Sequence, residues 1–111
     1  MWRDHLGVTV LLEEIGDWNA YLERLNADAP PIFRLGWAAD YNDPDNFLAF
    51  FSGQDGALRI HFANAEFDAL VGQAATTGDP ASRQALYIEA EWILCEQEAV
   101  VIPLFHWLSS Q

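Results

Sequence analysis

An α/β domain, a small mixed β-sheet with flanking helices, is the fold class that three features of the sequence predict. Residues 8–12 (VTVLL) form a β-branched, apolar run of strand length. Trp18, Tyr21, Leu22 and Leu25 recur at i, i+3, i+4 and i+7, one apolar stripe of a helix. Residues 32–39 (IFRLGWAA) form a second apolar run. Strand, helix and strand in that order make a βαβ unit, so the two strands are expected to be parallel with a right-handed crossover.

The elements follow in order. Residues 2–6 before Gly7 read as the last turn of a helix with a glycine C-cap. A natural protein seldom starts on a closing turn, so an excised segment behind Met1 is the expectation. Asp17 is the N-cap of the first long helix, and the Pro30-Pro31 pair ends it. Asp43-Pro44 reads as N-cap and first position of a short helix that turns Phe47, Leu48 and Phe51 inward. Residues 52–56 (SGQDG) read as a surface loop and residues 58–62 as extended. Asn64 caps a helix with Phe67, Leu70, Val71 and Ala74 on its inner face. Asp79-Pro80 starts the longest helix, which runs to about Glu98 and buries Leu86, Ala90, Ile93 and Leu94. Residues 100–105 (VVIPLF) read as a third strand, and Pro103 places it at an edge or a bend. No repeat or linker divides the chain, so residues 1–111 are read as one domain.

Composition narrows the partners. A chain of 111 residues holds one domain at most, and 14% aromatic content argues against disorder. Seventeen acids against five bases give a net charge of −12. A surface this acidic repels phosphate backbones and anionic membranes, so no nucleic-acid partner is expected. The single Cys95 excludes an internal disulfide. No apolar run reaches the length of a membrane span, and no signal-peptide pattern opens the sequence.

The candidate site is the stretch 32–51, which changes abruptly from apolar to acid and amide. Arg34 lies inside a run otherwise fit for burial, where a charge must be paired. Residue type alone favours an ion pair; the functional alternative is a guanidinium fork that receives a ligand carboxylate. Gly36 leaves room for close approach, and Trp37 offers a broad apolar wall with one N–H donor, or simply core packing. Asp40 falls just beyond the carboxyl end of the second expected strand, where ligands gather in parallel sheets. Its carboxylate suits an ammonium group; the bland alternative is a turn-forming Asp. Asp43 reads as an N-cap, with Asp45 and Asn46 in the first helical turn.

Asp40, Asn42, Asp43 and Asp45 fail the calcium-loop pattern, lacking its central Gly and its last acid. His5, His61 and His106 show no metal-ligand spacing, so neither metal nor cofactor is expected. Cys95 reads as an inert buried thiol. No nucleophile elbow or phosphate loop is present. A hydrolase using Asp40 with His61 or His106 ranks last, and no catalytic residue is assigned.

The same residues carry a family resemblance. Leu6-Gly7-Val8-Thr9-Val10, Trp18 with Tyr21-Leu22, and Arg34-Leu35-Gly36-Trp37-Ala38-Ala39-Asp40-Tyr41-Asn42-Asp43-Pro44 stand in order. They are followed by Asn64 with Phe67-Asp68, Arg83 with Leu86-Tyr87, and Ala99-Val100-Val101-Ile102-Pro103-Leu104-Phe105. The chain resembles the C-terminal lobe of the extracellular solute-binding proteins of oligopeptide and dipeptide ABC importers (solute-binding protein family 5). The most specific part is the run from Gly36 to Pro44.

The resemblance implies a fragment of one lobe of a two-lobed periplasmic-binding-protein-like fold. Its implied function is binding peptides or other small solutes for a membrane ABC permease, without enzymatic activity. The implied location is periplasmic or extracellular, membrane-associated through the full-length parent. It implies that Asp40 holds the ligand ammonium, that Trp37 and Trp18 line the pocket, and that Arg34 helps receive a carboxylate. From the residues alone, Trp18 also fits a helix core. The second expectation is a free-standing acidic interaction domain that dimerises through the exposed inter-lobe surface.

Overall fold

The computed structural model describes residues 1–53 and 62–105. Its ordered elements are helical: α1 (Trp2–Leu6), α2 (Trp18–Asp28), α3 (Asp45–Leu48, continued by a 3-10 turn Ala49–Phe51), α4 (Ala65–Thr76) and α5 (Pro80–Trp92, continued by a π turn Ile93–Gln97). The chain divides into two units, Met1–Phe33 and Arg34–Gln111.

The expected mixed α/β sheet is corrected: among the described residues there is no strand. Residues 8–12, 32–39 and 100–105 run as irregular chain. The physical reason is that a strand exists only within a ladder. Periodicity reports which side chains are apolar, not whether a second backbone lies alongside. Leu11 is 90% exposed, so this run is not the doubly buried strand its composition suggested. Without flanking strands there is no βαβ unit, although its crossover helix forms as expected. Residues 100–105 instead begin by folding back on the helix before them. Val100 and Val101 both donate to the Leu94 carbonyl, at 2.9 and 3.4 Å.

The helix boundaries follow the capping signals. In the first unit, Gly7 ends α1 in the left-handed region at φ 68, and its N–H donates to the Arg3 carbonyl at 3.1 Å. Asp17 Oδ1 accepts from the Ala20 N–H at 2.8 Å and starts α2. On α2, Leu25 is buried and Arg24 reaches Glu13 at 3.4 Å and Asp28 at 3.6 Å.

The second unit holds a helical core. Asn64 caps α4 by accepting from the Glu66 and Phe67 N–H groups, each at 3.0 Å. Asp79 caps α5 by accepting from the Ser82 N–H at 2.9 Å, with Pro80 in the first turn. Phe67, Val71 and Ala74 of α4 pack with Tyr87, Ala90, Ile93 and Leu94 of the α5 arm, and Leu48 of α3 joins them. Leu70, Leu86, Phe51 and Cys95 lie against this core, partly buried. Phe47, expected to point inward, is exposed, and Asn46 is buried in its place. The residues expected as extended at 58–61 and most of the 52–56 loop lie outside the described residues, as do His61 and His106.

Candidate functional site

The turn from Trp37 to Asn46 is built around one amide oxygen. Asn46 is 6% exposed. Its Oδ1 accepts from the Trp37 indole N–H at 2.8 Å and from the Asp40 backbone N–H at 3.2 Å. The indole ring meets Phe50 edge-on, with centroids 4.2 Å apart and planes at 62°. Trp37 is therefore pinned at its N–H and along one side, yet remains 49% exposed. The Asp40 carboxylate is exposed on the same turn. A fixed backbone, an open carboxylate and an open aromatic surface thus share one anchor.

The helix that carries Asn46 is four residues long and has little stability of its own. Its start is held by Arg83 of α5. The Arg83 guanidinium forks onto Asp43, with Nη1 on Oδ2 and Nη2 on Oδ1, the latter at 2.9 Å. The same side chain donates from Nε to the Ala74 carbonyl near the end of α4, at 3.1 Å. It also donates to the Tyr87 hydroxyl at 2.9 Å and lies 5.0 Å from the Tyr87 ring centroid. Tyr87 donates on to Asp45 at 3.3 Å, and Tyr41 reaches the other Asp45 oxygen at 3.1 Å. Asp43 Oδ1 also accepts from the Asp45 N–H at 2.9 Å. The helix is capped at Pro44 and not at Asp43 as expected, and Asp43, one residue earlier, serves as the partner of Arg83. The guanidinium fork and that N–H hold the Asp43 carboxyl below its ordinary range. Burial, then the Asp45 charge, push the Tyr87 hydroxyl up.

The expected site residues are placed as follows. Trp37 and Asp40 come together on Asn46. Arg34 is exposed in the second unit, three residues before Trp37. Trp18 belongs to the first unit, where it begins α2, is exposed, and stacks at a tilt on Tyr21 with centroids 5.8 Å apart. Cys95 is half-buried; burial, then Glu91 and Glu96, raise its thiol pKa, which makes it a poor nucleophile. Among the described residues no group of three or more His, Cys, Asp and Glu converges as a metal site. No helix among them is long and apolar enough to cross a membrane.

Asn46, Arg83 and Tyr87 were missed as a structural unit. Arg83 and Tyr87 stand at i and i+4, so they share a face of α5, and Arg83 is one of only five bases facing seventeen acids. That pairing was visible. Its partners, 40 and 42 residues earlier in the chain, were not.

Comparison with known proteins bears on what this turn belongs to. No family model matches the chain, and no solved structure does. Curated proteins match along its length. The oligopeptide-binding protein OppA of Bacillus subtilis is 36% identical over 108 residues, covering 96% of this chain and 19% of that protein. The periplasmic murein peptide-binding protein MppA of Escherichia coli is 32% identical over 111 residues, covering 100% of this chain and 20% of its own length. This chain belongs to solute-binding protein family 5. Another relative, the probable deoxycholate-binding periplasmic protein YgiS of Escherichia coli, is 34% identical over 105 residues, covering 95% of this chain and 19% of that protein. The chain thus spans about a fifth of the length of the curated solute-binding proteins it matches.

Proposed function

We propose that the chain is part of the C-terminal lobe of a solute-binding protein that carries peptides to an ABC permease, and that the 37–46 turn grips the ligand. The observation that carries this reading is the exposed Asp40 carboxylate beside half-exposed Trp37 on a turn anchored by buried Asn46. In this reading Asp40 receives the ligand's α-ammonium through charge-assisted hydrogen bonds. Trp37 supplies an apolar wall, and Arg34 meets a carboxylate. In this reading the protein is a carrier and not an enzyme. The ligand would favour the closed form of the parent by population shift. The site of action is the periplasm or the extracellular face of the membrane. Support comes from the names of the relatives, three of which specify oligopeptides, murein peptides and dipeptides.

The test uses the full-length natural protein that contains this sequence, purified without refolding. Native mass spectrometry reads what it carries, and calorimetry measures its affinity for trialanine, N-acetyl-trialanine and deoxycholate. Trialanine is expected to bind, the acetyl cap to weaken it, and Asp40→Asn to weaken it by about tenfold or more, since a charged partner is lost. A protein that carries only non-peptidic solutes and ignores trialanine would refute the peptide assignment.

A further inference from the structure

We infer that Asn46 is a positioning residue for ligand binding, holding Trp37 and Asp40 in the one arrangement in which they meet the ligand. The inference deepens the role proposed above for those two residues and rests on it. Both donors to Asn46 are N–H groups, so the side-chain oxygen must face them. A flipped amide would set N–H against N–H. Two bonds from one buried oxygen tie a side chain at position 37 to a backbone at position 40. They fix the indole relative to the backbone that carries the Asp40 carboxylate. Phe50 packs edge-on against one side of the ring.

The anchor is itself anchored. Leu48, two residues on, is in the core, and the Asp43–Arg83 fork clamps the residue before Pro44 onto α5. Arg83 thus sets the helix, the helix sets Asn46, and Asn46 sets the turn. A ligand arriving at a turn held in this way does not have to supply the ordering of that turn out of its own binding energy.

Asn46→Leu keeps the volume and removes the acceptor, whereas Asn46→Asp keeps an oxygen for both donors. Two quantities are read in the full-length natural protein: trialanine affinity by calorimetry, and amide hydrogen exchange of the peptide containing residues 37–40. Asn46→Leu should weaken trialanine by about tenfold and speed exchange in that peptide, with α4 and α5 unchanged. Asn46→Asp should restore most of both. A merely structural role would lower the melting temperature of Asn46→Leu but leave affinity intact below it. Unchanged affinity, or an Asp variant as impaired as the Leu variant, overturns the inference. If circular dichroism finds Asn46→Leu unfolded, Asn46→Ser, whose hydroxyl reaches one donor at most, is judged by the same criteria. If the wild type ignores trialanine, the peptide reading fails, and exchange at 37–40 in the Leu and Asp variants still decides the positioning role.

Discussion

At Ala99 the backbone turns into the left-handed region, with φ 50 in a residue that carries a Cβ. The other left-handed residues described, Gly7 and Gly53, are glycines. An L-residue in this region costs about 1–2 kcal/mol, part of which glycine would lose again through its freer unfolded chain. The turn is kept because it lets Val100 and Val101 fold back onto the Leu94 carbonyl. Ala99→Gly should therefore raise the unfolding free energy by about 0.5–1 kcal/mol, seen as a higher urea midpoint at unchanged slope. A lower midpoint would mean that the alanine methyl packs usefully. The same scale holds the main surprise in the candidate site. Trp37 was expected as an apolar wall with one N–H donor or as simple core packing, and its N–H goes to a buried amide nine residues away.

The helices differ in what holds them. α4 and α5 carry long apolar stripes and strong caps, so sequence patterning alone accounts for them. Asn64 does two jobs at the start of α4. Its oxygen caps the helix, and its Nδ2 reaches Glu98 beyond the end of the π turn at 3.4 Å. Asn64→Ala should cost about 1 kcal/mol, the usual loss for a removed N-cap. Asn64→Asp retains the cap but sets a carboxylate against Glu98, so in thermal melts it should recover part of that loss and not all. A full recovery would show that the contact with Glu98 contributes nothing. α3 is the opposite case: four residues long, it depends on Leu48 in the core and on Arg83 at its start. That dependence is why the geometry of the turn is decided by α5.

For the molecule as a whole the governing quantity is its net charge of −12. Seventeen acids repel one another at neutral pH, and mild acid begins to relieve this. Asp43 and Asp79 work in the other direction. Both have carboxyls held below their ordinary range, Asp43 chiefly by Arg83 and Asp79 by Ser82. A depressed folded pKa contributes stability that is present above the unfolded value, about 3.9, and lost as pH falls through the folded one. Thermal stability should therefore rise from pH 7 toward about 5 and fall below about 4. Asp43→Asn should flatten the acid limb while lowering stability at neutral pH. A melting temperature that climbs steadily down to pH 3 would contradict this account.

Local signals in the sequence were sufficient for the helices. Asp17, Asn64 and Asp79 stand as side-chain caps and Gly7 as a C-cap because capping is decided within three or four residues. The core faces of α4 and α5 were legible for the same reason, as periodic apolar positions on one helix. The family was legible as well, from the ordered motif between Gly36 and Pro44. The sheet was misread because an apolar run records a preference for burial, while a strand needs a second backbone that the run does not specify. Asp40 and Trp37 could be named as candidates from sequence, but Asn46, Arg83 and Tyr87 could not be assembled around them. Their bonds to Trp37, Asp43 and Asp45 cross nine to 42 residues of chain, and only tertiary packing decides which donor meets which acceptor over such a span.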